Sequence, residues 1–210
     1  MKTFDNGGED MARKSTSSVK QKDLQRRSIR LTVNGKVHEL EVGARPDQVD
    51  PAHTLAFTLR ETLGLTGTKI ACDGGACGCC TVLMDGKAVL SCMMLTIECD
   101  GKRVTTIEGL TDTKGKLDPL QQAFIDETAF QCGFCTPGII MSAKWLLEGN
   151  PSPTEEEVKQ ALSGNFCRCI SHYHVVRAVM AAAHKMEGRD EVPLRGPCPK
   201  GGSIGQGLKG

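Results

Sequence analysis

The stretch GACGCC, residues 75–80, places Cys77, Cys79 and Cys80 within four residues, with Cys72 just upstream. Thiols so crowded react with oxidants and with one another unless something binds them. The spacing is Cys72-x4-Cys77-x2-Cys80, and Cys92 follows after TVLMDGKAVLSC. A C-x4-C-x2-C run with a distant fourth Cys is the plant-type spacing for a [2Fe–2S] cluster. Thiolates and bridging sulfides concentrate negative charge, so the loop around them must aim backbone N–H groups inward. Gly74, Gly75 and Gly78 let the backbone turn that closely. Cys72, Cys77 and Cys80 are therefore the expected ligands, with Cys92 returned to the loop from the end of a strand. Cys79 is left over and reads as a small buried residue.

A second thiol set lies further on. Cys132-x2-Cys135 falls in QCGFCTPG, and Cys167-x-Cys169 falls in GNFCRC. Both pairs stand where helices are expected to start or end, and positive helix N-termini favour an anionic group. Four thiolates satisfy a [2Fe–2S] site, but they equally satisfy zinc, and for this set both readings stay open. The first set is closer to ferredoxins than to zinc ribbons. Eleven cysteines, an odd number, argue against a closed disulfide framework.

Around these sets the chain divides into four parts. Residues 1–27 are polar and aperiodic and read as a disordered tail. Residues 28–110 carry strand signals. Ile29, Leu31 and Val33 alternate before Asn34-Gly35, and TVLMDGKAVLSC turns at Asp85-Gly86, so two hairpins are expected. GKRVTTIEGL adds a strand, and Thr54 caps a short helix with Leu55, Leu59 and Leu63 inward and Gly64 at its end. Residues 111–187 turn helical in period. Leu117, Leu120 and Phe124 form one face, and Ile139, Ile140, Ala143, Leu146 and Leu147 form another behind Pro137. Thr154 and Glu157 make a capping box before Val158, Ala161 and Leu162, and Val175, Val176, Val179, Met180 and Ala183 mark a fourth helix. Residues 188–210 are Gly-rich and read as a tail.

The remaining composition excludes several classes. A net charge of +1 and 4% aromatic residues argue against nucleic acid and anionic membrane surfaces. No apolar run reaches membrane-spanning length. There is no secretory h-region, and Arg26-Arg27 is followed by SIRLTVNGKVHE instead of the apolar stretch of a twin-arginine signal. A reducing cytoplasm is the expected compartment. His172, Tyr173 and His174 read as a helix start, His38 and His53 as isolated exposed residues, Trp145 as packing, Cys99 as a spare thiol and Cys198 as an exposed one. No phosphate loop, Ser/His/Asp set or carboxylate pair stands out, so no catalytic residue is expected on this chain.

GLTGTKIACDGGACGCCTVLMDGKAVLSC, QCGFCTPG and GNFCRC, in that order, resemble the small iron–sulfur subunit of the molybdenum hydroxylases, the group of xanthine dehydrogenase, carbon monoxide dehydrogenase and aldehyde oxidoreductase. The resemblance covers about residues 28–186. It implies an α+β chain with a β-grasp, ferredoxin-like domain and a four-helix bundle domain, each holding one [2Fe–2S] cluster. Cys72, Cys77, Cys80 and Cys92 would hold the first, and Cys132, Cys135, Cys167 and Cys169 the second. Gln131 and the neighbourhood of Cys169 would touch the molybdopterin cofactor of a large partner subunit. The first cluster would face an FAD-binding medium subunit. Electrons would pass from molybdenum through both clusters to flavin or another acceptor. A free ferredoxin-like shuttle and a zinc-stabilised interaction module are the alternatives. Three features depart from the family pattern: Cys79 stands where Ala is common, Ile170-Ser171-His172 stands where Thr-Gly-Tyr is common, and both tails are long.

Overall fold

The computed structural model describes residues 27–45, 47–112 and 114–188. The expectations for both tails, Arg26 and Cys198 lie outside the described residues, except that residues 27 and 188 are themselves described.

Strands β1 (Arg27–Val33) and β2 (Lys36–Val42) form the first hairpin, one residue earlier than the expected start. The turn is the one its residues demand: Asn34 and Gly35 both have positive φ, 50° and 79°. β3 (Thr81–Met84) and β4 (Lys87–Leu90) form the second hairpin, with Asp85 and Gly86 at φ 49° and 78°. β5 (Arg103–Thr105) inserts between them, parallel to β1 and antiparallel to β3. The result is a mixed sheet of order β2-β1-β5-β3-β4.

Leu31, Val33, Val82 and Val104 from the sheet pack with Leu55 and Leu59. The last two lie on the short helix α1 (Leu55–Phe57) and the wide π turn that continues it over Thr58–Thr62. Thr54 caps it by accepting from Phe57 N–H, and Gly64 at φ 70° follows its end. Cys99 is fully buried in this core and donates to Leu95 O. The spare thiol is therefore a packing residue, and burial pushes it up to about 11.

The helical part follows. α2 (Pro119–Asp126) begins at a capping box of Asp118 and Gln121. α3 (Thr136–Gly149) takes Cys135 as its N-cap residue. α4 (Glu155–Ala161) begins at the Thr154–Glu157 capping box. α5 (His172–Met186) is capped by Ser171, which accepts from Tyr173 N–H. Phe124, Ile139, Leu147, Val158, Leu162, Val175 and Val179 make the core between them. α3 is buried over more of its circumference than one apolar stripe predicts, with Gly138, Met141 and Ser142 also inside. It lies between the sheet and the other helices, packing against β3 and β4 on one side and α2 and α4 on the other. That gives an α+β chain.

Four expectations need correction. His38 is half-buried in β2 opposite Leu31. His53 is half-buried because its ring lies 4.1 Å from that of Phe57 and Nδ1 accepts from Asp50 N–H. Trp145 is 43% exposed, so its packing is partial. Leu63, Leu117, Leu146, Ala161 and Met180, placed on buried faces, are only half-buried, near the ends or rims of their elements.

Candidate metal centres

The loop from Cys72 to Cys80 leads directly into β3 at Thr81. Asp73, Gly75 and Gly78 all have positive φ, 47°, 72° and 71°, which folds the loop back on itself. Its N–H groups point at sulfur: Gly74 and Ala76 both donate to Cys72 Sγ at 3.4 Å. These two donors, with further help from Cys77, hold the Cys72 thiol down to about 6. Thiolate is thereby favoured in the protein itself, as a metal ligand requires.

Cys92 comes home by strand register. Thr81 pairs with Leu90, so the residues just outside that pair, Cys80 and Ser91, also meet. Ser91 Oγ donates to Cys80 O at 2.6 Å. Cys92 lies in the 3-10 turn Ser91–Met93 just past β4, and its thiol contacts that of Cys80. Burial, then the Cys80 thiol, push Cys92 up to about 11.

The second set assembles from two loops. Cys132 and Cys135 precede α3, with Gly133 between them at φ 78°. Cys167 and Cys169 lie in the loop between α4 and α5. Cys169 Sγ is 3.5 Å from Cys132 Sγ, and the Cys135 and Cys167 thiols contact each other. Ile170 N–H donates to Cys167 Sγ at 3.4 Å. Burial raises Cys167, but the Ile170 N–H, the Cys135 thiol and the Cys169 N–H outweigh it and leave it below the ordinary value. Cys135 is driven up to about 12 by burial and then by Cys167. The departure at Ile170-Ser171-His172 thus has two local jobs here, an N–H on Cys167 and the cap of α5.

The structure therefore places these eight cysteines in four close pairs, Cys72 with Cys77, Cys80 with Cys92, Cys132 with Cys169 and Cys135 with Cys167. Among the described residues no three His, Cys, Asp or Glu side chains converge on one ion position. Two pairs of cysteines suit a cluster with two irons, each taking one pair as thiolates once metal displaces the protons. The ten described cysteines are all free thiols.

Cys79 belongs to none of the four pairs. It is 5% exposed and sits in the helical core with Cys135, while its thiol contacts Cys77. Burial, then Cys77, raise it to about 12, so it stays protonated near neutrality. Nothing in the sequence signalled that this residue lies between the two thiol sets.

Gln131 and Cys132 are exposed, and so are Phe130, Phe134 and Phe166 on the same two loops, at 38%, 45% and 62%. Both loops of the second set thus carry exposed aromatic side chains. At the other set, Cys72 is exposed, and so is Met93, at 60%, whose side chain lies against Gly75 of the same loop. His172, Tyr173 and His174 form the start of α5, as the sequence indicated. A groove of about 650 Å³ between α4 and α5, lined by His172, Arg177, Met180 and His184 among others, contains no cysteine.

Two family models match the chain. Residues 32–105 match the "2Fe-2S iron-sulfur cluster binding domain" and residues 106–180 the "[2Fe-2S] binding domain". The second match favours a [2Fe–2S] domain over a zinc module for residues 106–180. The chain is 51% identical over 154 residues to the nicotine 6-hydroxylase small subunit of Paenarthrobacter nicotinovorans, covering 73% of this chain and 88% of that one. It is 42% identical over 158 residues to the nicotinate dehydrogenase small FeS subunit of Eubacterium barkeri, covering 75% and 96%. The crystal structure of quinoline 2-oxidoreductase from Pseudomonas putida 86 superposes with a TM-score of 0.71 at 39% identity, over 80% of this chain and 99% of that one. The chain belongs to the small iron–sulfur subunit family of the molybdenum hydroxylases, and it comprises two [2Fe–2S] binding domains in the order in which the two thiol sets occur.

Proposed function

We propose that this chain is the electron-transfer subunit of a multi-subunit molybdenum hydroxylase. It carries electrons from the molybdenum cofactor of a large subunit, through two [2Fe–2S] clusters, to an FAD-binding medium subunit or another acceptor. The single observation that carries the reading is the presence of two complete four-thiol sets, each closed in pairs. When bound, a [2Fe–2S] cluster takes up and returns one electron.

The protein's own residues supply the rest. Cys72, Cys77, Cys80 and Cys92 hold the first cluster, and Cys132, Cys135, Cys167 and Cys169 hold the second. The N–H groups of Gly74, Ala76 and Ile170 stabilise sulfur charge. Residues 28–110 form a β-grasp, ferredoxin-like domain and residues 111–187 a four-helix bundle domain, flanked by tails at 1–27 and 188–210. Gln131 meets the large subunit's molybdopterin, and its exposure beside Cys132 supports that role. The bare Phe130, Phe134 and Phe166 around it favour a permanent neighbour over a free shuttle. No helix among the described residues is long and apolar enough to cross a membrane, and the compartment we assign is the cytoplasm.

Co-purification tests the assembly. Tagged chain isolated from its native host should bring down a large molybdenum-containing subunit in stoichiometric amount. Elution alone with both clusters intact would support the shuttle and overturn the assembly.

A further inference from the structure

Two loops meet at the boundary between the sheet and the helices, and each carries thiols of a different set. Cys77 and Gly78 belong to the first loop. Asn165 and Phe166 belong to the second, immediately ahead of Cys167. Phe166 N–H donates to Cys77 O at 3.0 Å, and Asn165 Nδ2 donates to Gly78 O at 3.1 Å. Two successive carbonyls of one loop are thus held by two successive residues of the other.

The clamp is closely fitted on both sides. Asn165 is only 4% exposed, and a buried amide costs free energy unless its hydrogen bonds are made. Gly78 also receives Thr81 N–H and Thr81 Oγ on the same carbonyl, at 3.2 and 2.8 Å. A Cβ on Gly78 would strike the Asn165 amide and Gly164 O. From behind, a Cβ on Gly138 in α3 would strike Gly78 O and the Cys79 backbone. The first loop is therefore gripped between α3 and the Asn165 loop. Cys77 and Cys167 are separated by one hydrogen bond and one residue.

We propose that Asn165 is a positioning residue that fixes the spacing between the two thiol sets. The Asn165 amide holds Gly78 O. That aligns Cys77 O with Phe166 N–H, so the loop bearing Cys77 and Cys80 keeps one register against the loop bearing Cys167 and Cys169. An apolar contact would bury similar area but would let the loops slide, because burial is non-directional. A hydrogen bond to a buried carbonyl sets direction as well as distance. This rests on the reading that each set holds a [2Fe–2S] cluster.

The test uses the full chain with both clusters loaded, reduced anaerobically with dithionite. Two nearby paramagnets split each other's EPR signals, and the splitting falls steeply with their separation. Asn165→Asp keeps the shape but replaces the donor NH2 by a carboxylate, and Asn165→Ala removes the group. Both variants should keep two [2Fe–2S] signals and a full complement of iron, with the mutual splitting changed in both. Hydrogen exchange at the Phe166 amide should quicken by about tenfold, the factor set by the net worth of one hydrogen bond. Ser163→Ala, on the same loop but exposed, should leave splitting and exchange as in the parent. A residue that served stability alone would lower the unfolding midpoint and leave the splitting untouched, and that result overturns the proposal. Parent-like splitting in Asn165→Asp does so too. If neither variant folds, a Phe166 amide that exchanges freely in the parent protein overturns it. Absence of two cluster signals in the parent would refute the functional reading instead, so the two failures are distinguishable.

Discussion

Replacing Cys79 by Ala removes one sulfur from a site that is 5% exposed and wedged between Cys77 and Cys135. The lost group is about the size of a methylene. Its transfer contributes about 0.8 kcal/mol, and incomplete closure of the void adds a similar amount, giving a loss of about 1–2 kcal/mol. No thiolate is lost, because burial holds this thiol up to about 12 and it remains protonated at neutral pH. Cys79→Ala should therefore show both [2Fe–2S] EPR signals at parental intensity and an unchanged iron content. Chemical unfolding of the loaded protein should show the modest loss. Disappearance of the signal from the sheet domain would show that Cys79 is a ligand and that the spacing was assigned to the wrong thiols. A loss well above about 3 kcal/mol with both signals intact would refute the packing argument and leave the ligand assignment standing.

Other outcomes are expected from the same geometry. Gly138→Ala gains about 1 kcal/mol of helix propensity, yet its Cβ meets Gly78 O and the Cys79 backbone, which cannot swing aside. The net effect should be a destabilisation of about 1–3 kcal/mol in urea unfolding, and a neutral or stabilised variant would contradict the close approach of α3 to the first loop. Thr154→Ala should cost about 1 kcal/mol by removing the cap of α4. Glu157 is held below the usual carboxylate range by the Thr154 N–H and then its hydroxyl. Its contribution is therefore present above the unfolded Glu value and is lost as pH falls through the depressed folded one. Acid titration of stability should show less of this loss in a Glu157→Gln variant, and an identical slope would exclude the capping box.

Much of the architecture was written locally. Asn34-Gly35 and Asp85-Gly86 name their turns because few residues tolerate positive φ, and Thr154 with Glu157 names a helix start because both side chains satisfy orphan N–H groups. The Cys72-x4-Cys77-x2-Cys80 spacing was legible for the same reason: a loop closing on charge has few solutions. What escaped the sequence depends on distant partners. β5 lies between β1 and β3 through pairings about seventy and twenty residues apart in sequence, and no local pattern encodes that order. Met141 and Ser142 fall outside the single apolar stripe expected of that helix and are buried because α3 has the sheet behind it. Cys79 could be read only as spare, since its contact with Cys135 crosses the boundary between the two parts. Asn165 drew no reading of its own within GNFCRC, because its role depends on the carbonyl of Gly78, 87 residues away.

Quantitative EPR of the anaerobically purified chain, before and after reduction with dithionite, decides whether this protein is a two-cluster electron carrier. The oxidised protein should be EPR-silent, bleach on reduction and yield two distinct [2Fe–2S] signals integrating to about two spins per chain. A protein that binds zinc, fails to bleach or gives a single cluster signal would contradict it.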